Sequence, residues 1–354
     1  MHSAAVLMRK TAALALTLFA LSAMPAASEP LPGLSADLSR TSVSGLSSGA
    51  YMAGQFEIAH STLVIGAGIV AGGPYGCANS PGATYIPFWP LLLSLNLDRA
   101  LHRCMEAGGW FGSVPEVREL ATQAEALQAR GRIDPLSDLK SDKIYIFSGA
   151  SDKTIERPVV ERAVELYEEL GVPRASITFV KHEKAAHGFI TDDAGLACGK
   201  EGEPFIEDCD YDQAKAILEA IYGQLKGVGS ESSGRYLTFD QKPFISDGAG
   251  MAEEGVAYVP SACSEQSGCV VHVVFHGCKQ ERTRLGDTFI RESGYARWAA
   301  NNRIIVLFPQ IKATTANPNG CWDWWGYTGL RFLERDAPQM RAVTAMLNKL
   351  AEAR

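Results

Sequence analysis

The sequence predicts an α/β fold: a mostly parallel central sheet flanked by helices, with a small lid-like insertion. Three observations lead there. Short apolar runs rich in β-branched residues at 62–71 (TLVIGAGIVA), 143–147, 176–180, 270–275 and 304–308 have the length and composition of buried strands. Stretches of helical character separate most of them, which is the pattern of parallel βα units. A Gly-Leu-Ser-Ser-Gly turn at 45–49 joins the first strand to the first helix.

Residues 1–28 have the composition of a signal peptide: Arg9 and Lys10, an apolar run over 11–23, then small residues at Ala26-Ala27-Ser28. That run is shorter than the ~20 residues a membrane span needs, and no later stretch reaches that length, so no anchor is expected. A strand at 40–46 leads through the Gly/Ser turn into a helix bearing Tyr51, Met52, Phe56 and Ile58, then a strand closed by Gly72-Gly73-Pro74. The rhythm breaks over 74–112, where Pro81, Pro87 and Pro90 surround Tyr85, Phe88 and Trp89, and this segment is read as the lid. Alternation resumes with helices at 114–129, 157–170 and 211–222 between strands at 143–147 and 176–180.

The Gly/Ser-rich stretch 227–234 is the best candidate for a domain joint. The same kind of pattern continues after it, however, with strands at 236–239, 256–259, 270–275 and 304–308 and helices at 294–301 and 335–353. Residues 29–354 are therefore read as a single catalytic domain without a separate substrate-binding domain. An apolar fraction of 46% supports a sizeable core. A net charge of −7 with no Lys/Arg cluster argues against a nucleic-acid partner and for a neutral or apolar one; the expected state is a monomer.

All eight cysteines lie in the part predicted to be exported, where an even count suggests disulfides. Proximity in sequence favours Cys198 with Cys209 and Cys263 with Cys269, leaving Cys77 with Cys104 and Cys278 with Cys321; other pairings stay open. The metal reading is weaker, because there is no CxxC pair or His/Cys cluster.

In the turn at 45–49 the outer glycines relieve crowding at a strained strand-to-helix corner that exposes the central serine, making Ser47 the candidate nucleophile. Ser48 fits less well, since Leu46 and Ala50 would flank it. The base is sought among seven histidines. His2 is in the signal segment, His60 ends the first helix, His102 is in the lid, His272 is inside a strand, and His276 belongs to another segment. His182 lies near a strand end, whereas His187 follows it on a loop, where such a sheet displays catalytic groups. His187 is the expected base and His182 its competitor. Asp152, just past the strand at 143–147, is the acid that would orient it. The plainer alternative is that Asp152 only caps the next helix.

The order Ser47, Asp152, His187 is that of an α/β-hydrolase. An oxyanion hole needs two amide donors, one from the residue after the nucleophile, Ser48, and one from a loop after a neighbouring strand. His276-Gly277-Cys278 supplies such a loop, yet it follows the triad where the usual order places it before. Joining the ends of the chain repairs this: the helix at 335–353 would lead into the strand at 40–46. The sequence therefore predicts a circularly permuted α/β-hydrolase fold, cut just before its nucleophile strand.

Together GLSSGAYMA, FSGASD, AAHGF, VVFHGCKQ and NPNGCWDWWGY resemble the catalytic domain of secreted poly(3-hydroxybutyrate) depolymerases, specifically their circularly permuted type, over nearly the whole chain after residue 28. The resemblance implies Ser47, Asp152 and His187 as the triad, Ser48 and Cys278 amides as the oxyanion hole, and an apolar crevice for polyester near 317–325, with Trp324, Trp325 and Tyr327 as candidate substrate contacts. Tryptophans packed as plain core are the bland alternative. The expected chemistry is two-step acyl transfer without cofactor or metal, on polyhydroxybutyrate or its oligomers, in the periplasm or outside the cell. Two other readings are a feruloyl or acetylxylan type of esterase and a non-catalytic polyester-binding protein on a hydrolase scaffold.

Overall fold

The structure of the protein is a computed structural model. It describes residues 28–80, 89–107 and 113–354, so the expected signal segment lies outside the described residues up to residue 27, as do 81–88 and 108–112 of the expected lid. The strands are β1 (Asp37–Leu46), β2 (Val64–Val70), β3 (Lys143–Gly149), β4 (Ile177–His182), β5 (Phe189–Thr191), β6 (Leu196–Ala197), β7 (Ile206–Asp208), β8 (Gly234–Asp240), β9 (Glu254–Pro260), β10 (Val270–Phe275) and β11 (Ile304–Phe308). The helices are α1 (Ser48–Ala59), α2 (Trp89–Arg103), α3 (Val117–Ala129), α4 (Arg157–Glu169) and α5 (Gln213–Tyr222). They continue with α6 (Ser261–Glu265), α7 (Arg282–Leu285), α8 (Thr288–Glu292), α9 (Tyr295–Asn302) and α10 (Pro338–Ala351).

Eight strands form one sheet in the order β4-β3-β2-β1-β10-β11-β9-β8. The first six run parallel, while β9 and β8 are antiparallel at one edge. Helices cover both faces, which is why the strands read as continuous apolar runs and not as alternating ones. In β11, Ile305 and Leu307 join the core beneath α1, α3, α4 and α10, while Ile304, Val306 and Phe308 join the core beneath α5, α8 and α9. The one polar residue in VVHVVF, His272, is accommodated by its neighbours: Ser42 Oγ lies 2.6 Å from its Nδ1 and Ser44 Oγ 2.8 Å from its Nε2. Burial pushes its pKa down to about 3, so it is a neutral structural residue.

The first and last described stretches meet behind β1. The amides of Leu34 and Ala36 donate to Leu350 O at 2.9 and 3.1 Å, and that of Ser35 to Glu352 O at 2.9 Å. The backbones come so close at Gly33 that a Cβ there would lie 2.6 Å from Ala353 O. α10 thus feeds into β1 through space, as a fold cut before its nucleophile strand requires, and β1 sits mid-sheet between β2 and β10. The helix starts at Pro338, three residues later than the sequence suggests, because proline is favoured in a first helical turn. The stretch 227–234 is tied to the body: Gly229 N donates to Arg297 O at 2.9 Å, and the Tyr258 hydroxyl to Glu231 O at 3.0 Å.

Two features exceed the sequence expectations, and the cysteine pairing agrees with them. Part of the proline-rich insertion is helical, α2, anchored by Arg99 Nε on Cys77 O at 2.7 Å and by Asn96 Nδ2 on Trp325 O at 3.0 Å. A second sheet, order β5-β7-β6, follows β4. All eight cysteines pair as proximity favours: Cys77–Cys104, Cys198–Cys209, Cys263–Cys269 and Cys278–Cys321. Among the described residues, no helix is long and apolar enough to cross a membrane.

Candidate active site

Ser47 occupies the corner between β1 and α1 with φ 57° and ψ −119°, a conformation costly for a residue with a side chain. The sterics of the surrounding backbone explain both glycines. A Cβ at Gly45 would fall 2.2 Å from Gly49 O, and one at Gly49 would fall 2.2 Å from Phe275 O. The corner therefore packs backbone to backbone against the end of β10, and Ser47 opens into a cavity of about 390 Å³.

His187 lines the same cavity. Its Nδ1 lies 2.9 Å from Asp152 Oδ2, with both side chains buried. Asp152 Oδ1 accepts the amides of Thr154 and Ile155, each at 2.8 Å. Asp152 thus shapes its own turn as well as holding the histidine. It does not cap α4, whose N-cap position is Glu156. With Nδ1 committed to the carboxylate, Nε2 is the nitrogen left for proton transfer. His182 is turned elsewhere: its Nδ1 accepts the Ala185 amide at 3.0 Å and its ring lies against Phe147 and Tyr211. Its proximity to Cys198 and Cys209 is no metal site, because those sulfurs are bonded to each other. His276 is buried, with Nδ1 on Gly277 O at 2.7 Å and Nε2 accepting from Ile311 N at 3.3 Å. Burial lowers its pKa to about 4, so it stays neutral.

Cys278 lines the same cavity as Ser47. The Gly277 amide donates to Gln280 Oε1 and that of Lys279 to Asn319 O, both at 2.7 Å. The Cys278 amide between them donates to no other described residue, and neither does that of Ser48 in the first turn of α1, where helical amides lack partners. The Cys278–Cys321 bridge fixes this loop to 317–325, and Ser48 Oγ accepts the Trp322 amide at 3.3 Å. Two uncommitted amides at one corner are what an oxyanion calls for.

The tryptophan loop is shaped by Asp323. Its carboxylate accepts the amides of Gly326, Tyr327 and Thr328 at 2.6–3.0 Å, and the Thr328 hydroxyl at 2.6 Å. That turn presents Trp324 and Trp325 to the cavity. Trp324 stacks on Tyr51, centroids 4.2 Å apart and planes 10° apart. Tyr327 is not among the cavity's lining residues: its hydroxyl is drawn back to Cys321 O and Gln339 Nε2, each at 2.8 Å, and its ring packs behind Trp325. Two contributors escaped the sequence reading. Tyr51 lies on α1, four residues after the corner serine Ser47, a spacing that brings it back to the same side. Leu97 and Leu101 of α2 form an apolar wall, at helical spacing that proline-rich surroundings disguised.

No protein-family model matches the chain. It is 38% identical over 328 residues to a poly(3-hydroxybutyrate) depolymerase of Delftia acidovorans, aligning 91% of this chain with 61% of that protein, so it spans under two thirds of that relative's length. It is 33% identical over 353 residues to a polyhydroxybutyrate depolymerase of Talaromyces funiculosus, covering 94% of this chain and 96% of the relative. Among solved structures, the PHB depolymerase from Penicillium funiculosum superposes with a TM-score of 0.79 at 31% identity over 91% of this chain and 98% of that one. A serine-to-alanine variant of a PHB depolymerase complexed with R3HB trimer gives a TM-score of 0.78 at the same identity and coverage. With identity near one third along almost the whole Talaromyces protein and the same fold throughout, the chain belongs to the poly(3-hydroxybutyrate) depolymerase family.

Proposed function

We propose that the protein is a secreted serine esterase that hydrolyses ester bonds of poly(3-hydroxybutyrate) or its oligomers. The observation that carries this reading is the convergence of a strained Ser47, a His187 held by Asp152, and a tryptophan-lined wall on one cavity. His187 Nε2 takes the Ser47 proton as Oγ attacks the ester carbonyl, and the Ser48 and Cys278 amides hold the resulting oxyanion. The imidazolium, stabilised by Asp152, gives its proton to the departing hydroxyl. Water, deprotonated by the same histidine, then attacks the acyl-serine, and the histidine returns that proton to Ser47 Oγ as the acyl bond breaks and the hydroxyacid leaves. Trp324 and Trp325 supply apolar contact for the polyester chain, and no step needs a cofactor. Export to the periplasm or beyond fits the four disulfides, which persist in oxidising compartments.

The test is product analysis on amorphous polyhydroxybutyrate with the natural chain and Ser47→Ala. The natural chain should release hydroxybutyrate monomer or short oligomers, and the variant should lose on the order of 10⁶-fold in kcat. Release by the natural chain from feruloyl esters alone would replace this reading with the esterase alternative. Failure of a fluorophosphonate to label Ser47 would point to a non-catalytic binder.

A further inference from the structure

The small sheet β5-β7-β6 has no part in the mechanism above, yet it lies directly behind the catalytic histidine. Its middle strand carries Glu207, whose side chain is entirely buried. Burying a carboxyl is costly unless hydrogen-bond partners replace water. Here Oε2 accepts two amides, Ala186 N at 3.0 Å and Gly199 N at 2.7 Å. The other oxygen, Oε1, has no hydrogen-bond partner and faces Gly188, where a Cβ would lie 2.7 Å away. One carboxyl therefore touches the residue before His187 and the residue after it. Two residues beyond His187 the chain enters β5, and Phe189 N donates to Phe205 O at 2.9 Å. The Cys198–Cys209 bridge closes the sheet around this contact.

We propose that Glu207 is a positioning residue for His187, clamping the Ala186 amide with Oε2 and filling the space left by Gly188 with Oε1. The inference rests on the reading of Ser47, Asp152 and His187 as the triad. Asp152 fixes the rotation of the imidazole through Nδ1 but does not hold the backbone that carries it. On the β3 side, Ser151 N donates to Ala185 O at 2.9 Å and pins the loop just before the histidine. On the far side Glu207 does this. Catalytic geometry is sensitive to small displacements, so the loop must be held from both sides for Nε2 to be presented to the cavity that Ser47 also lines. Burial pushes the Glu207 carboxyl up, with the two amides drawing it back, so its contribution is acceptor geometry more than charge. Glutamine has the same reach and a carbonyl acceptor; aspartate keeps the charge but is one methylene short.

The experiment compares Glu207→Gln, Glu207→Asp and His187→Ala in the full chain, using p-nitrophenyl butyrate as a soluble substrate and thermal melts to verify folding. Glu207→Asp should lose at least 20-fold in kcat with KM within twofold of the natural chain, and Glu207→Gln should retain at least a third of kcat. Wild-type kcat in Glu207→Asp overturns the proposal. So does a Glu207→Gln variant as impaired as Glu207→Asp, or a KM that rises in step with the loss. Abolished activity in His187→Ala beside an unaffected Glu207→Asp sinks this inference alone, whereas an active His187→Ala sinks the triad reading as well. If Glu207→Asp does not fold, Gly188→Ala is the second variant, since it presses a methyl group on Oε1. It should lose kcat with KM unchanged, and wild-type kcat there overturns the proposal equally.

Discussion

Strand β3 has a buried aspartate at each end, Asp142 at its entrance and Asp152 beyond its exit. At the exit, Asp152 is surrounded by donors: two backbone amides and the His187 ring. At the entrance, Asp142 meets another acid, Glu57 of α1, which accepts the Tyr167 hydroxyl at 2.8 Å. Glu57 Oε1 and Asp142 Oδ2 find no donor, so a retained proton between the two carboxyls is what satisfies them. Burial drives Asp142 up to about 6 and Glu57 well above its usual range; the neighbouring Asp142 raises Glu57 further, while the hydrogen bond with Glu57 draws Asp142 back. The residue type is the same, and the loops at the carboxyl ends of parallel strands make the difference. They supply free amides and a histidine, whereas the opposite end supplies helix side chains.

Substitutions at the two ends should separate accordingly. The largest effect is expected for Asp152→Asn, which leaves the shape intact but turns the histidine to the wrong tautomer, lowering kcat on the order of 10⁴-fold. A kcat within tenfold of the natural chain would deny Asp152 its role. Next comes Gly149→Ala at the end of β3, where a Cβ would fall 2.2 Å from Ala185 O in the His187 loop. It should cost roughly 1–3 kcal/mol of stability and, by displacing that loop, roughly 100-fold in kcat. Thermal melts beside kinetics check both.

The smallest effect is at the entrance. Because the folded-state pKa of Asp142 is raised, the folded protein holds a proton that the unfolded chain releases, and stability falls as pH climbs from about 4 to about 6. Asp142→Asn removes that penalty. It should stabilise by about 1–3 kcal/mol at pH 8, with the gain vanishing near pH 4 and kcat unchanged. A gain independent of pH would show that the proton is not the cause.

The exit end of β3 was legible in the sequence and the entrance was not. FSGASD and AAHGF announce themselves because a serine, an acid and a histidine on successive loops after strands form an ordered pattern. Permutation was legible for the same reason, since HGC stood on the wrong side of Ser47. Asp142 looks like an ordinary surface acid in the charged segment SDLKSDK, and Glu57, the single charged residue of α1, reads as that helix's solvent-facing position; only tertiary packing buries them. Glu207 was hidden similarly: its strand is three residues long, too short for alternation to register, and its neighbours Asp208 and Asp210 make it look solvated. Tyr327 sits in an aromatic cluster that points to the crevice, but Asp323 turns the backbone so that Trp324 and Trp325 face the cavity and Tyr327 does not.

The position of β1 also sets a schedule. It ends at Leu46 and gains its first neighbour, β2, by Val70, but its other edge stays open until β10 emerges after Cys269. A chain synthesised from its amino end therefore carries the central strand of its sheet as an unpaired edge for most of its synthesis, the kind of surface that recruits other strands. The β1–β10 pairing joins residues more than 200 positions apart, so the cavity lined by Ser47 and Cys278 comes together late in folding.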